Sequence, residues 1–152
     1  MPNIVLKIPK NSFPGEHRAA LVKGINEAAA TAEGMPADPK KRFLCWVLID
    51  EVEPGHWTCG GADVSSVFLP CLAIVNVPDG VLDDAARARY AQLLQSAFQE
   101  AMPPKDKRQL TTSFIFNAVA DGAWGVNGAV WKLPQFSKAA GYAHLQHLVN
   151  AA

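Results

Sequence analysis

The sequence predicts an α/β (α+β) domain built from tandem βαβ units, a four-stranded mixed sheet with two helices on one face. Three observations carry this. Met35-Pro36 recurs as Met102-Pro103, an offset of 67 (102 minus 35), and the same offset takes Gly55 to Gly122, Trp57 to Trp124 and Gly61 to Gly128. A fixed-period self-match of this kind marks a duplicated structural unit. Each copy also reads strand, helix, strand from its apolar periodicity. Finally, 152 residues with 49% apolar and 18% charged composition suit one packed domain. The expected organisation is a single domain, 1–152, of two repeats at about 2–61 and 69–128 plus a tail at 129–152.

In chain order, Ile4 to Ile8 is a short β-branched run and reads as a strand. Ser12 is the expected N-cap and Pro14 the first-turn proline of a helix whose stripe is Ala19, Leu21, Val22, Ile25 and Ala29, ending near Gly34 before Pro36. Phe43 to Val52 reads as a second strand, closed by the turn Glu53 to Trp57, and Gly60 to Pro70 reads as a linker. The second copy repeats the pattern as a strand over Leu72 to Val77, a helix from about Asp83 to Ala101, and a strand from Thr112 to Ala120. The tail offers a short helix from Ala139. A βαβ unit implies a parallel strand pair with a right-handed crossover. The uncovered sheet face and edges then predict an oligomer.

Lysine plus arginine and aspartate plus glutamate are balanced at 14 each, which argues against nucleic acid as a partner. No stretch reaches the length of a membrane span, and the amino-terminal segment lacks a signal-peptide pattern. Cys45, Cys59 and Cys71 fit neither a disulfide framework nor a paired zinc knuckle and read as free thiols of a cytoplasmic protein. His144 and His147 read as a surface pair and not a metal site. Trp124 and Trp131 read as packing of the second turn and tail.

The chemistry points to Pro2. Loss of Met1 would leave a secondary amine at the terminus, with a reference pKa of roughly 7.7–8.0. Burial in an apolar pocket would lower it towards the range of a general base at neutral pH. An internal proline has no such lone pair.

With Pro2 opening a βαβ unit and the string Glu51-Val52-Glu53-Pro54-Gly55-His56-Trp57-Thr58-Cys59-Gly60-Gly61 closing it, the first half resembles a 4-oxalocrotonate tautomerase subunit. A fused double unit of this length is similar to the cis-3-chloroacrylic acid dehalogenase, malonate semialdehyde decarboxylase and macrophage migration inhibitory factor branches of the tautomerase superfamily. The resemblance implies a homotrimer, active sites around the terminal proline near subunit interfaces, and no cofactor.

The departures bear on specificity. Ser12 and Trp46 stand where the small tautomerases carry their carboxylate-binding arginines, and neither can form the bidentate guanidinium pair. Ala29 stands at the dehalogenase's helix histidine, and Val77-Pro78-Asp79-Gly80 where two arginines follow the third strand. Asp38 is a counterpart of the decarboxylase's aspartate. Asn117 aligns with an asparagine near the proline of the inhibitory-factor branch, and by offset it is equivalent to Asp50.

Trp57 is placed by the resemblance as the aromatic wall of the proline pocket, with core or interface packing as its other reading. His56 is a candidate acid/base group or a turn residue. Arg42 is expected to share strand parity with Trp46 and to replace the missing clamp, or else to belong to a solvated charge run with Lys40 and Lys41. The expected function is cofactor-independent keto–enol tautomerisation of small α-keto acid-like substrates by Pro2. The alternatives are a specialised Pro2-dependent decarboxylase, hydratase or dehalogenase, or a catalytically weak binding trimer.

Overall fold

The computed structural model describes residues 2–149. Removal of Met1, on which the Pro2 amine depends, lies outside the described residues. Strand β1 (Asn3–Pro9) alternates cleanly, with Ile4, Leu6 and Ile8 fully buried on one face. Helix α1 (Glu16–Ala32) follows, but Ser12 is not its cap. Ser12 is buried, and its hydroxyl donates to the Pro9 carbonyl at 2.5 Å. The N-cap is Gly15, whose φ of 55° favours a residue without a Cβ, so Pro14 precedes the helix and does not open it.

The expected strand from Phe43 begins later. Pro39 at the first helical position and the Asp38 side chain, which accepts from the Lys40 N–H at 2.9 Å, start a short helix α2 (Pro39–Arg42) with Phe43 as its C-cap. Local capping overrides the apolar run there, and β2 covers Trp46–Val52. The expected linker holds a hairpin, β3 (Thr58–Cys59) with β4 (Ala62–Asp63). Strand β5 (Phe68–Pro78) starts ahead of Leu72.

The second unit continues with α3 (Asp84–Ala101), capped by Asp83, whose carboxylate accepts from the Ala86 N–H at 2.7 Å, and with β6 (Gln109–Val119). A second hairpin, β7 (Trp124–Val126) with β8 (Ala129–Trp131), leads to α4 (Leu133–Ala140). The tail helix therefore ends near Ala139, where it was expected to start, because Gly141 at φ 71° stops it. A 3₁₀ turn (Ala143–Leu145) and a short helix α5 (Gln146–Val149) complete the described chain.

The sheet has the order β2-β1-β5-β6, with β1/β2 and β5/β6 parallel and β1/β5 antiparallel. It is the expected mixed four-stranded sheet. Helices α1 and α3 pack side by side, and a Cβ on Gly24 would lie 3.0 Å from the Ala97 Cβ, so glycine sets their close approach. Phe13 meets Phe98, and Tyr90 meets Phe116 at 5.3 Å between ring centroids, which ties α3 to the sheet.

The other face of the sheet is uncovered in the single chain. Register places Leu48, Val5, Ile74 and Ile115 in one row across it, and Trp46, Asn3, Asn76 and Asn117 in the next. Leu48 is 51% exposed and Ile115 45%, an apolar row that a monomer leaves in water.

Candidate functional site

Pro2 is buried at the head of β1, and its carbonyl accepts the Trp46 N–H at 3.0 Å. By strand alternation it shares the helix-covered face with Ile4. A crossover helix runs back along its strand, so the end of α1 returns to the head of β1. The residue delivered there is Glu33, the C-cap of α1, which is fully buried. The Tyr90 hydroxyl donates to Glu33 Oε1 at 3.4 Å. Burial pushes the Glu33 carboxyl up to about 7, against the lowering effect of the Tyr90 hydrogen bond. A buried carboxyl therefore stands at the end of the sheet where β1 begins.

Around Glu33 lie Cys45 and Tyr90. Burial first, then the Glu33 charge, raises both: the Cys45 thiol goes up to about 12 and the Tyr90 phenol well above its ordinary value. Neither is ionised near neutrality. The tail closes the same end. The Ala143 N–H donates to the Gly34 carbonyl at 2.9 Å, and His144 Nε2 lies 2.9 Å from the Val81 carbonyl. Both tail histidines are exposed, as expected of a surface pair.

The other predicted residues are dispersed. Arg42 lies in α2, not on a strand, so it shares no strand parity with Trp46. Its guanidinium pairs with Glu27 at 2.7 Å and donates to the Pro36 carbonyl at 3.1 Å. Asp38 spends its carboxylate on the α2 cap. Asp50 pairs with Lys7. Trp46, 52% exposed, and Asn117 lie on the open sheet face, across the sheet from the Pro2 ring. Asn117 Nδ2 donates to Asn76 Oδ1, and Asn76 Nδ2 to the Asn3 carbonyl, each at 3.1 Å, so a relay of amides runs to the residue beside Pro2. Trp57 lines a small cavity of about 220 Å³ with Pro9, Pro70 and Arg108, and His56 is exposed beside it. That is the far end of β1, about 20 Å from Pro2 at 3.3 Å per residue.

Comparison with solved structures gives the fold. The wild-type fused 4-OT asymmetric trimer superposes with a TM-score of 0.67 at 18% identity, covering 84% of this chain and 94% of that one. Native fused 4-OT gives 0.68 at 15%, over 84% and 94%. The macrophage migration inhibitory factor of Toxoplasma gondii gives 0.59 at 16%, over 85% and 99%. The chain has the tautomerase fold. No protein-family model and no curated protein matches the sequence.

Within the tautomerase fold, Pro2, which the sequence singles out, is buried at the head of β1, and Glu33, which it does not, is buried at the end of α1. The signal was present: Leu21, Ile25 and Ala29 are spaced by four and Glu33 is the next step, so a carboxyl extends a buried stripe. A charged side chain on such a line is rarely buried unless it has a partner. A carboxyl pushed up to about 7 can take up and release a proton near neutrality, which is the requirement for acid/base work at that pH. No helix among the described residues is long and apolar enough to cross a membrane.

Proposed function

We propose that the chain is a cofactor-independent enzyme of the tautomerase type. The Pro2 amine, freed by removal of Met1, takes a proton from an enol oxygen or from carbon of a small carbonyl substrate and returns it to carbon. The observation that carries this reading is the burial of Pro2 at the head of β1 with the Glu33 carboxyl delivered to the same end. Backbone amides at the strand head would stabilise the enolate, because fixed dipoles in a dry site act on developing charge without reorganising. The working unit is a single domain of two repeats, 2–61 and 69–128, with the tail 129–152.

A homotrimer is the proposed assembly. The fused 4-OT structures it resembles are trimers, and the uncovered row Leu48, Val5, Ile74, Ile115 supplies an apolar face to bury. In such an assembly Trp57 and His56 of one subunit reach a neighbour's Pro2, since within one subunit they stand at opposite ends. Asn117 and Trp46 flank the site from the open face, while Arg42 and Asp38 keep structural duties.

The test is ketonisation of phenylenolpyruvate by the methionine-free protein beside a folded Pro2→Ala variant of the same oligomeric state. A rate lost by 100-fold or more in the variant is expected, on the order of a general acid/base contribution. Equal rates in the two proteins would remove Pro2 from the chemistry. A binding trimer of the same fold is the second reading, favoured by Ser12 and Trp46 in place of the carboxylate-binding arginines.

A further inference from the structure

We propose that the groove between α1 and α2, which Pro2 does not line, is a second binding site and takes an aliphatic carboxylate. The groove has a volume of about 940 Å³, within the usual range of small-molecule sites. One wall is α1, where Ala19, Val22 and Asn26 recur at three- and four-residue steps and so share a face. The other is the segment from Ala37 to Arg42, which the Asp38 cap and Pro39 wind into α2. An occupant of the groove bridges the two helices.

Charge selects the head group of that occupant. Three cations line the groove, Arg18, Lys23 and Arg42, against one carboxylate, Glu27. Arg18 is answered from outside the groove by Glu51. Arg42 is anchored but not saturated: its Nε donates to the Pro36 carbonyl at 3.1 Å and its Nη1 meets Glu27 at 2.7 Å, while Nη2 has no partner among the described residues. The Arg42 side chain is 23% exposed and that of Glu27 59%, so the guanidinium is held in place and its partner is a surface carboxylate that contributes little. Neither the Lys23 ammonium nor the Asn26 side-chain amide has a partner among the described residues. Free guanidinium N–H groups beside an ammonium and an amide donor match one carboxylate. The floor between them is alkyl, from Ala19, Val22, Ala37 and Pro39, and none of the described lining residues is aromatic, so a nucleobase has nothing to stack on. Such a floor suits a linear chain, whose burial supplies affinity while Arg42 fixes the head group.

Isothermal titration calorimetry of the full chain with dodecanoate and with dodecyltrimethylammonium, both below their micelle concentrations, compares one tail under opposite head charges. The expected result is one dodecanoate per chain, bound at least about tenfold more tightly than the cation. Arg42→Gln should weaken dodecanoate by at least about tenfold and leave the cation unchanged. Ala19→Glu puts a carboxylate on the floor of the groove, and should weaken dodecanoate while strengthening the cation. Ala19 is exposed on α1, so this second variant keeps the test standing even where loss of the Glu27 pair disturbs α2. Failure of dodecanoate to bind overturns the proposal, and so does equal affinity for the two head groups. A dodecanoate affinity unmoved by both substitutions would place the ligand elsewhere, on the open sheet face, and overturns it as well.

Discussion

Glu33→Gln should change the pH dependence of stability in a calculable way. The folded carboxyl titrates at about 7 against an ordinary 4.5, so the native state holds a proton that the unfolded chain releases. The associated stability is fully present below about 4.5 and is lost as pH rises through about 7. At 1.36 kcal/mol for each tenfold, that interval corresponds to about 3 kcal/mol. A glutamine has no proton to lose, so its contribution is flat. Urea denaturation of both proteins at pH 5 and pH 8.5, at one protein concentration, isolates the effect as a difference of differences. The variant should gain about 3 kcal/mol on the wild type between the two pH values, whatever its absolute stability. An unchanged gap would show that the Glu33 carboxyl is not held in a dry environment, and the account of the Pro2 end would fall with it.

Three further outcomes follow from the packing. Phe136 is 2% exposed and lies between Trp124 and Trp131 at ring-centroid distances of 5.4 and 5.3 Å, so Phe136→Ala should cost about 3–5 kcal/mol in urea unfolding. Ile115→Lys puts a charge in the middle of the uncovered row and should shift the assembly to monomer in sedimentation experiments while leaving the far-UV circular dichroism of the chain unchanged. Asp83→Ala removes the α3 cap and should cost about 1 kcal/mol with no effect on oligomeric state, measured by thermal unfolding and sedimentation.

The strands and both long helices were legible because their burial is periodic. Ile4, Leu6 and Ile8 announce a half-buried strand, and the stripe through Leu21, Ile25 and Ala29 announces α1. Boundaries were less legible where one local contact outweighs a pattern. Ser12 satisfies its hydroxyl on the Pro9 carbonyl and leaves the cap to Gly15, and Asp38 with Pro39 winds a helical turn into a run that reads as strand. The candidate site was legible at Pro2 alone. Pro2 is conspicuous because its chemistry depends on chain position alone. Glu33 was overlooked because a glutamate near a helix end ordinarily reads as solvated, and only the crossover geometry brings it to the strand head. Arg42 failed as a strand residue for the same reason that Asp38 succeeded as a cap.

The antiparallel pairing of β1 with β5 has a consequence for how many sites a chain can carry. The two repeats begin at opposite ends of the sheet, one headed by Pro2 and the other entering at Phe68 with Pro70 just inside it. Pro70 is an amide on both sides, so the duplicated scaffold supplies two equivalent strand heads but one titratable nitrogen. Of the two strand heads, only the first can therefore offer a basic backbone nitrogen, and the second is relieved of any need to keep one.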